Sequence, residues 1–100
     1  MTPTDDVSYT IGRIHPAVAR YLKRQRQQIR KKFFEVLDKL QRGPFPAHDP
    51  AHIAHLKGAY HCSYRYILES GKHGLRIKYD VDAETRQIDI YDLGPRGGAY

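Results

Sequence analysis

Cysteine is nearly absent: Cys62 stands alone, so no internal disulfide can form and nothing marks the chain as a disulfide-stapled secreted domain. Long apolar runs are missing too, and none approaches the roughly 20 residues that span a bilayer. The start of the chain, Met1 to Asp6, is polar and acidic, without the apolar centre of a signal peptide. These absences lead us to expect a reduced, cytoplasmic protein with no membrane partner. No glycine-rich phosphate loop, G-x-G-x-x-G fingerprint or nucleophile elbow occurs, which leaves nucleotide-cofactor enzymology without support. A metal is not expected either. His48 and His52 have the i, i+4 spacing of a helical ligand pair, but Pro50 lies between them, no cysteine is nearby, and no H-E-x-x-H occurs. We expect no cofactor. Acidic residues are the other shortage. Eleven Asp and Glu face 17 Lys and Arg, for a net charge of +6. That excess suits a polyanionic partner such as nucleic acid, an acidic protein or an anionic surface.

What is present fits one domain, since 100 residues leave no room for a second core. Tyr9 and Ile11 alternate with Thr10 and Gly12, which predicts a short strand over Ser8–Ile14. His15-Pro16 ends it and starts a helix. From Ala17 to Arg42 there is no Gly or Pro, and Val18, Tyr21, Leu22, Ile29, Phe33, Val36, Leu37 and Leu40 recur at helical steps. The stripe reads as a helical hairpin broken near Arg24–Gln27, with Phe33 and Phe34 in its packing. Gly43-Pro44 stops it, and 45–53 reads as an irregular loop.

The period then changes from helical to alternating. Tyr60, Cys62, Tyr64, Tyr66 and Leu68 form one face of a strand, with His61, Ser63 and Arg65 on the other. Leu75, Ile77, Tyr79 and Val81 alternate with Arg76 and Lys78 in a second strand, and Gln87–Leu93 makes a third. Short turns between them predict an antiparallel meander. The tail from Gly94 is too glycine-rich to continue it. A strand, a helical hairpin and a meander imply an α+β domain with the helices on one sheet face. The other face then carries His61, Arg65, Arg76 and Lys78, a seat for a phosphodiester backbone. The helices carry nine further cations, Arg20, Lys23, Arg24, Arg26, Arg30, Lys31, Lys32, Lys39 and Arg42, against Glu35 and Asp38. That imbalance suits ribosomal RNA or an acidic partner.

The second half also resembles a known family. Leu56-Lys57-Gly58 ahead of the meander, Arg76-Ile77-Lys78-Tyr79 on its middle strand, Gly94-Pro95-Arg96 after its last strand and a closing Tyr100 resemble the RelE/ParE toxin superfamily. The first strand and hairpin fit as well, so the resemblance covers roughly residues 8 to 100. It implies a single RelE-like toxin domain over 1–100, with 1–7 an N-terminal tail and 94–100 a functional C-terminal tail. The RelE-like branch comprises ribosome-dependent mRNA endoribonucleases, each held inactive by an antitoxin from the adjacent gene. The resemblance therefore implies an enzyme that inhibits translation, with mRNA, the ribosome and an acidic antitoxin as partners. By the same resemblance Arg76, Arg96 and Tyr100 hold catalytic positions. Lys57, His61, Arg65 and Lys78 supply RNA contacts. The paired lysines of some ribonuclease members are not evident around Lys57, and His61 or His73 is either a substitute for them or irrelevant to the chemistry. Two other readings stand beside the nuclease: a ParE-like inhibitor of DNA gyrase, and a non-enzymatic RNA-binding module. A phosphate clamp of Arg76 and Arg96 with Tyr100 favours the nuclease, because RNA cleavage must stabilise a dianionic phosphorane.

Overall fold

A computed structural model describes residues 8–56, 64–71 and 74–95. Strand β1 (Thr10–Ile14) runs into helix α1 (Pro16–Lys23), where the His15 ring accepts the Ala17 N–H at 3.1 Å and Pro16 opens the first turn. Arg20 and Lys23 lie in its last turn, where cations favour the helix dipole. The chain breaks at 24–26 and restarts as α2 (Gln27–Arg42), so the one apolar stripe becomes two helices, as its pattern predicts. Arg26 is extended there, and Gly43 caps the end by donating to the Lys39 carbonyl at 3.0 Å.

Four strands follow. They are β2 (Ile53–His55), β3 (Tyr64–Ile67), β4 (Leu75–Asp82) and β5 (Gln87–Pro95), and the sheet order is β1-β5-β4-β3-β2. Strands β2 to β5 pair antiparallel, whereas β1 lies parallel to β5. A parallel neighbour needs a long crossover, and the two helices lie on that connection.

The helices cover one sheet face. Val18, Leu22, Ile29, Phe33, Val36, Leu37 and Leu40 meet Ile53, Tyr66, Leu75, Ile77, Tyr79, Ile88, Ile90 and Leu93 in a single buried core. The Tyr79 hydroxyl, buried with the rest of its ring, donates to the Pro44 carbonyl at 2.7 Å and anchors the loop after α2. Burial pushes this hydroxyl far above the ordinary tyrosine range, so it stays protonated and donates.

Three details differ from the sequence reading. The segment after Pro44 is not all loop: Ile53–His55 forms an edge strand, held by Ile53 opposite Tyr66 and by the buried Ile53 side chain. Three residues with one inward side chain give too short an alternation to register as a strand. The last strand also runs further than its glycine suggests. Gly94 pairs with Arg76 and Pro95 with Leu75, because glycine weakens a strand without breaking it and proline is tolerated at a strand end. Finally, Phe34 is not packed inside. Phe33 is fully buried but Phe34 is 56% exposed, since adjacent helical residues point about 100° apart and only one can face the sheet.

Two irregularities shape the sheet. The β1–β5 register shifts at Gly12, where a Cβ would sit about 2.2 Å from the Gln87 side chain, so only glycine fits there without displacing that side chain. The β4–β5 register shifts between Lys78 and Tyr79: Tyr79 pairs with Ile90 and Lys78 with Asp92, so Tyr91 is the extra residue of a β-bulge.

Candidate nucleic-acid interface

On the face without helices, alternation in β3 and β4 presents Arg65, Arg76 and Lys78, as the sequence period predicts. Their neighbours are set by register. Arg65 lies opposite Lys78, Lys78 opposite Asp92, and Arg76 between Ile67 and Gly94. Three cations thus occupy adjacent positions on neighbouring strands. Each is half-buried, and the two arginines are held by directional contacts. Arg65 Nη1 donates to the His52 carbonyl at 3.1 Å, and Arg76 Nη1 to the Gly74 carbonyl at 3.1 Å. Lys78 Nζ stands 3.8 Å from Asp92 Oδ2, with only 13% of the lysine side chain and 27% of the aspartate exposed.

Asp92 is the residue that sequence reasoning missed. A strict alternation from Ile88 through Ile90 would turn position 92 towards the helices. The bulge at Tyr91 reverses the phase, so Leu93 enters the core and Asp92 joins the cations. The signal was present in the spacing, because Ile88, Ile90 and Leu93 step by two and then by three. Burial raises the Asp92 pKa above the ordinary carboxylate range. Lys78, the Leu93 N–H and His15 pull it back only in part.

Further along β4 and β5 the face carries two carboxylates, next to Arg13 on β1. Asp80 lies opposite Asp89, and Asp89 Oδ1 accepts from the Arg13 N–H and the Gln87 amide, each at 3.0 Å. A phosphate is therefore directed to the Arg65–Lys78–Arg76 end and repelled from the Asp80–Asp89 end. Over the favoured end there is room: among the described residues nothing lies within 4 Å of where a Cβ on Gly94 would sit.

Of the seven site residues expected from sequence, Arg65, Arg76 and Lys78 are brought together. Lys57, His61, Arg96 and Tyr100 lie outside the described residues, as do Cys62 and His73. The histidines at 48, 52 and 55 have other contacts. His48 accepts the Phe45 N–H at 3.2 Å, His55 lies against Tyr64 with ring centres 4.6 Å apart, and His52 pairs with Asp49 at 2.9 Å while stacking on Tyr66. Among the described residues no three His, Cys, Asp or Glu side chains gather as metal donors.

The nine cations of α1, α2 and the break between them lie apart from this cluster in the chain. All nine are exposed except Arg30, which is half-buried and donates to the Gln25 carbonyl. Arg42 is paired with Asp38, and Arg26 approaches Glu69 at 3.9 Å. Phe34 stands exposed on the same helix. No described helix is long and apolar enough to cross a membrane.

Two helices on one face of a mixed five-stranded sheet, with cations on the open face, define a small α+β domain of recognisable plan. The archaeal RelE–RelB complex of Pyrococcus horikoshii contains a chain that superposes with a TM-score of 0.70 at 28% identity, over 92% of this chain and 99% of that one. A double arginine-to-alanine mutant of the Escherichia coli toxin RelE, in its free state, gives 0.65 at 17% identity, over 88% and 83%. The RelBE2 toxin–antitoxin complex of Mycobacterium tuberculosis gives 0.56 at 19% identity, over 90% and 100%. No protein-family model and no curated protein matches the sequence. The fold is that of the RelE toxins, and these likenesses support a RelE-like toxin superfamily.

Proposed function

We propose that this protein is the toxin of a type II toxin–antitoxin pair and that it inhibits translation in the cytoplasm by cutting mRNA on the ribosome. The observation that carries this reading is the Arg65–Lys78–Arg76 cluster on the open sheet face of a RelE-like fold. Cleavage by 2′-hydroxyl attack needs a proton acceptor, stabilisation of the phosphorane and a proton for the leaving 5′-oxygen. Arg76 clamps the phosphate, because a guanidinium donates two charge-assisted hydrogen bonds and keeps its charge. Arg96 joins it from the end of β5, and Tyr100 stacks on a base or carries a proton. Lys57, His61, Arg65 and Lys78 draw in the RNA backbone. No cofactor is required.

The partner is an acidic antitoxin from the adjacent gene. Its carboxylates meet the exposed helical cations, and an apolar side chain covers Phe34. Such binding weakens as salt rises, since exposed charges are screened over about 8–10 Å near physiological ionic strength.

Expression in a bacterial host tests the reading. Growth arrest with cut transcripts, relieved by co-expression of the neighbouring gene product, is the expected result. Arrest with DNA-damage signalling and intact transcripts would give the protein a gyrase target instead, and no arrest would leave it an RNA-binding module.

A further inference from the structure

Resting on the ribonuclease reading, we infer that Asp92 is the group that takes the 2′-hydroxyl proton, with Lys78 as its partner in returning a proton to the leaving oxygen. Three observations converge on this carboxylate. The bulge at Tyr91 turns it out of the core and onto the cation-bearing face, and bulges beside a site commonly serve to re-aim one side chain. It faces that cluster, opposite Lys78 and one outward position from Gly94, and among the described residues nothing stands within 4 Å of where a Cβ on Gly94 would sit. It is also largely shielded, with its ammonium partner 3.8 Å away, long enough for a substrate hydroxyl to compete for the same oxygen.

The charged and titratable groups around it come from three elements. Lys78 and Arg76 stand on β4, Arg65 on β3 beyond Lys78, and His15 at the start of α1. His15 Nδ1 accepts the Ala17 N–H, so in the neutral ring its proton sits on Nε2. Burial raises the Asp92 pKa from its ordinary value, which makes the carboxylate a stronger proton acceptor.

The step balances without an outside reagent. The 2′-hydroxyl proton passes to an Asp92 oxygen as the 2′-oxygen bonds to phosphorus. The bond from phosphorus to the 5′-oxygen breaks, and that oxygen takes a proton from the Lys78 ammonium. A 2′,3′-cyclic phosphate and a 5′-hydroxyl result. Proton transfer from Asp92 to the neutral lysine amine restores the ion pair.

Single-turnover cleavage of mRNA on programmed ribosomes, measured from about pH 5 to about pH 9 with parent, Asp92→Asn and Asp92→Glu, tests the inference. Asparagine keeps the shape and loses the base. It should slow cleavage by about a hundredfold or more, with ribosome binding and denaturant midpoint near the parent's, and should abolish the acidic limb of the pH–rate profile. Glutamate should restore part of the rate and return that limb. An Asp92→Asn protein that cuts as fast as the parent overturns the inference and leaves the ribonuclease reading standing. So does a slower protein with an unchanged profile, because that result makes Asp92 a positioning residue. A parent that cuts nothing overturns the ribonuclease reading itself, which separates the two failures.

Discussion

The two faces of this sheet are built from the same strands and held by different physics. On the helix side Phe33, Leu40, Ile77, Tyr79 and Ile88 are fully buried and fill one another's gaps. On the open side Arg65, Arg76 and Lys78 are half-buried, the arginines donating to backbone carbonyls and the lysine facing the Asp92 carboxylate. Non-directional packing tolerates many apolar solutions provided the volume is filled. A directional site depends on which atom faces which. Stability should therefore sit on one face and chemistry on the other, and mutation should separate them.

The largest expected effects test that separation directly. Phe33→Ala and Ile77→Ala each open a cavity in the core and should cost about 2–5 kcal/mol, read from the shift in denaturant midpoint. Arg76→Ala should change stability by only about 0.5 kcal/mol, since it opens no cavity. If Arg76→Ala unfolds as readily as Phe33→Ala, the division between the faces is wrong. The reverse pattern should hold for activity. Arg76→Ala and Arg96→Ala should each slow transcript cleavage by on the order of a hundredfold, the loss expected for one preorganised oxyanion donor. Tyr100→Phe keeps a ring for stacking and deletes the hydroxyl. A slower single-turnover rate with binding intact would assign that hydroxyl to proton transfer. If all three variants cut at the parental rate, the reacting phosphate does not sit at this end of the sheet.

The same contrast explains which parts of the molecule could be read from the chain. The helices and long strands were legible because period reports burial: Ile29, Phe33, Val36 and Leu40 could only be a helical stripe, and Leu75, Ile77 and Tyr79 only a strand. Arg76 and Lys78 followed from their places between those apolar residues. What escaped was set by pairing. Strand β2 has one buried side chain, Ile53, and exists because β3 offers it an edge. Asp92 reached the open face through a bulge that only the Ile90-to-Leu93 spacing hinted at. Phe34 has the chemistry of a core residue and the wrong helical angle.

A smaller effect probes the seam between core and loop. Tyr79→Phe removes only the hydroxyl that donates to the Pro44 carbonyl, and it leaves that buried acceptor unsatisfied. The expected cost is about 1–3 kcal/mol, read as a lower denaturant midpoint. Activity should follow stability here rather than fall separately, because Tyr79 faces the helices and not the cation cluster. A cleavage defect without a stability defect would show that the loop after α2 also shapes the open face.

The smallest expected effect concerns Asp92 and the pH dependence of folding. Its pKa is raised in the native state, chiefly by burial, so the folded protein holds that proton more tightly than the unfolded chain does. Below the ordinary carboxylate range of about 4, both states are protonated and the native preference for the proton contributes fully to stability. As pH rises from there through the native pKa, the folded carboxyl must ionise in a shielded place, and that contribution is lost. Asparagine at 92 cannot titrate. The stability of the parent relative to Asp92→Asn should therefore decline as pH rises from about 4 through the raised native value, a trend that denaturant midpoints at several pH values would resolve. The trend should be modest, because 27% of the Asp92 side chain remains exposed and Lys78 offsets part of the burial. A parent–variant difference that rises with pH would mean that Lys78 outweighs burial and that Asp92 is an ordinary surface carboxylate. Its place on the open face would then serve to hold the lysine rather than to move a proton.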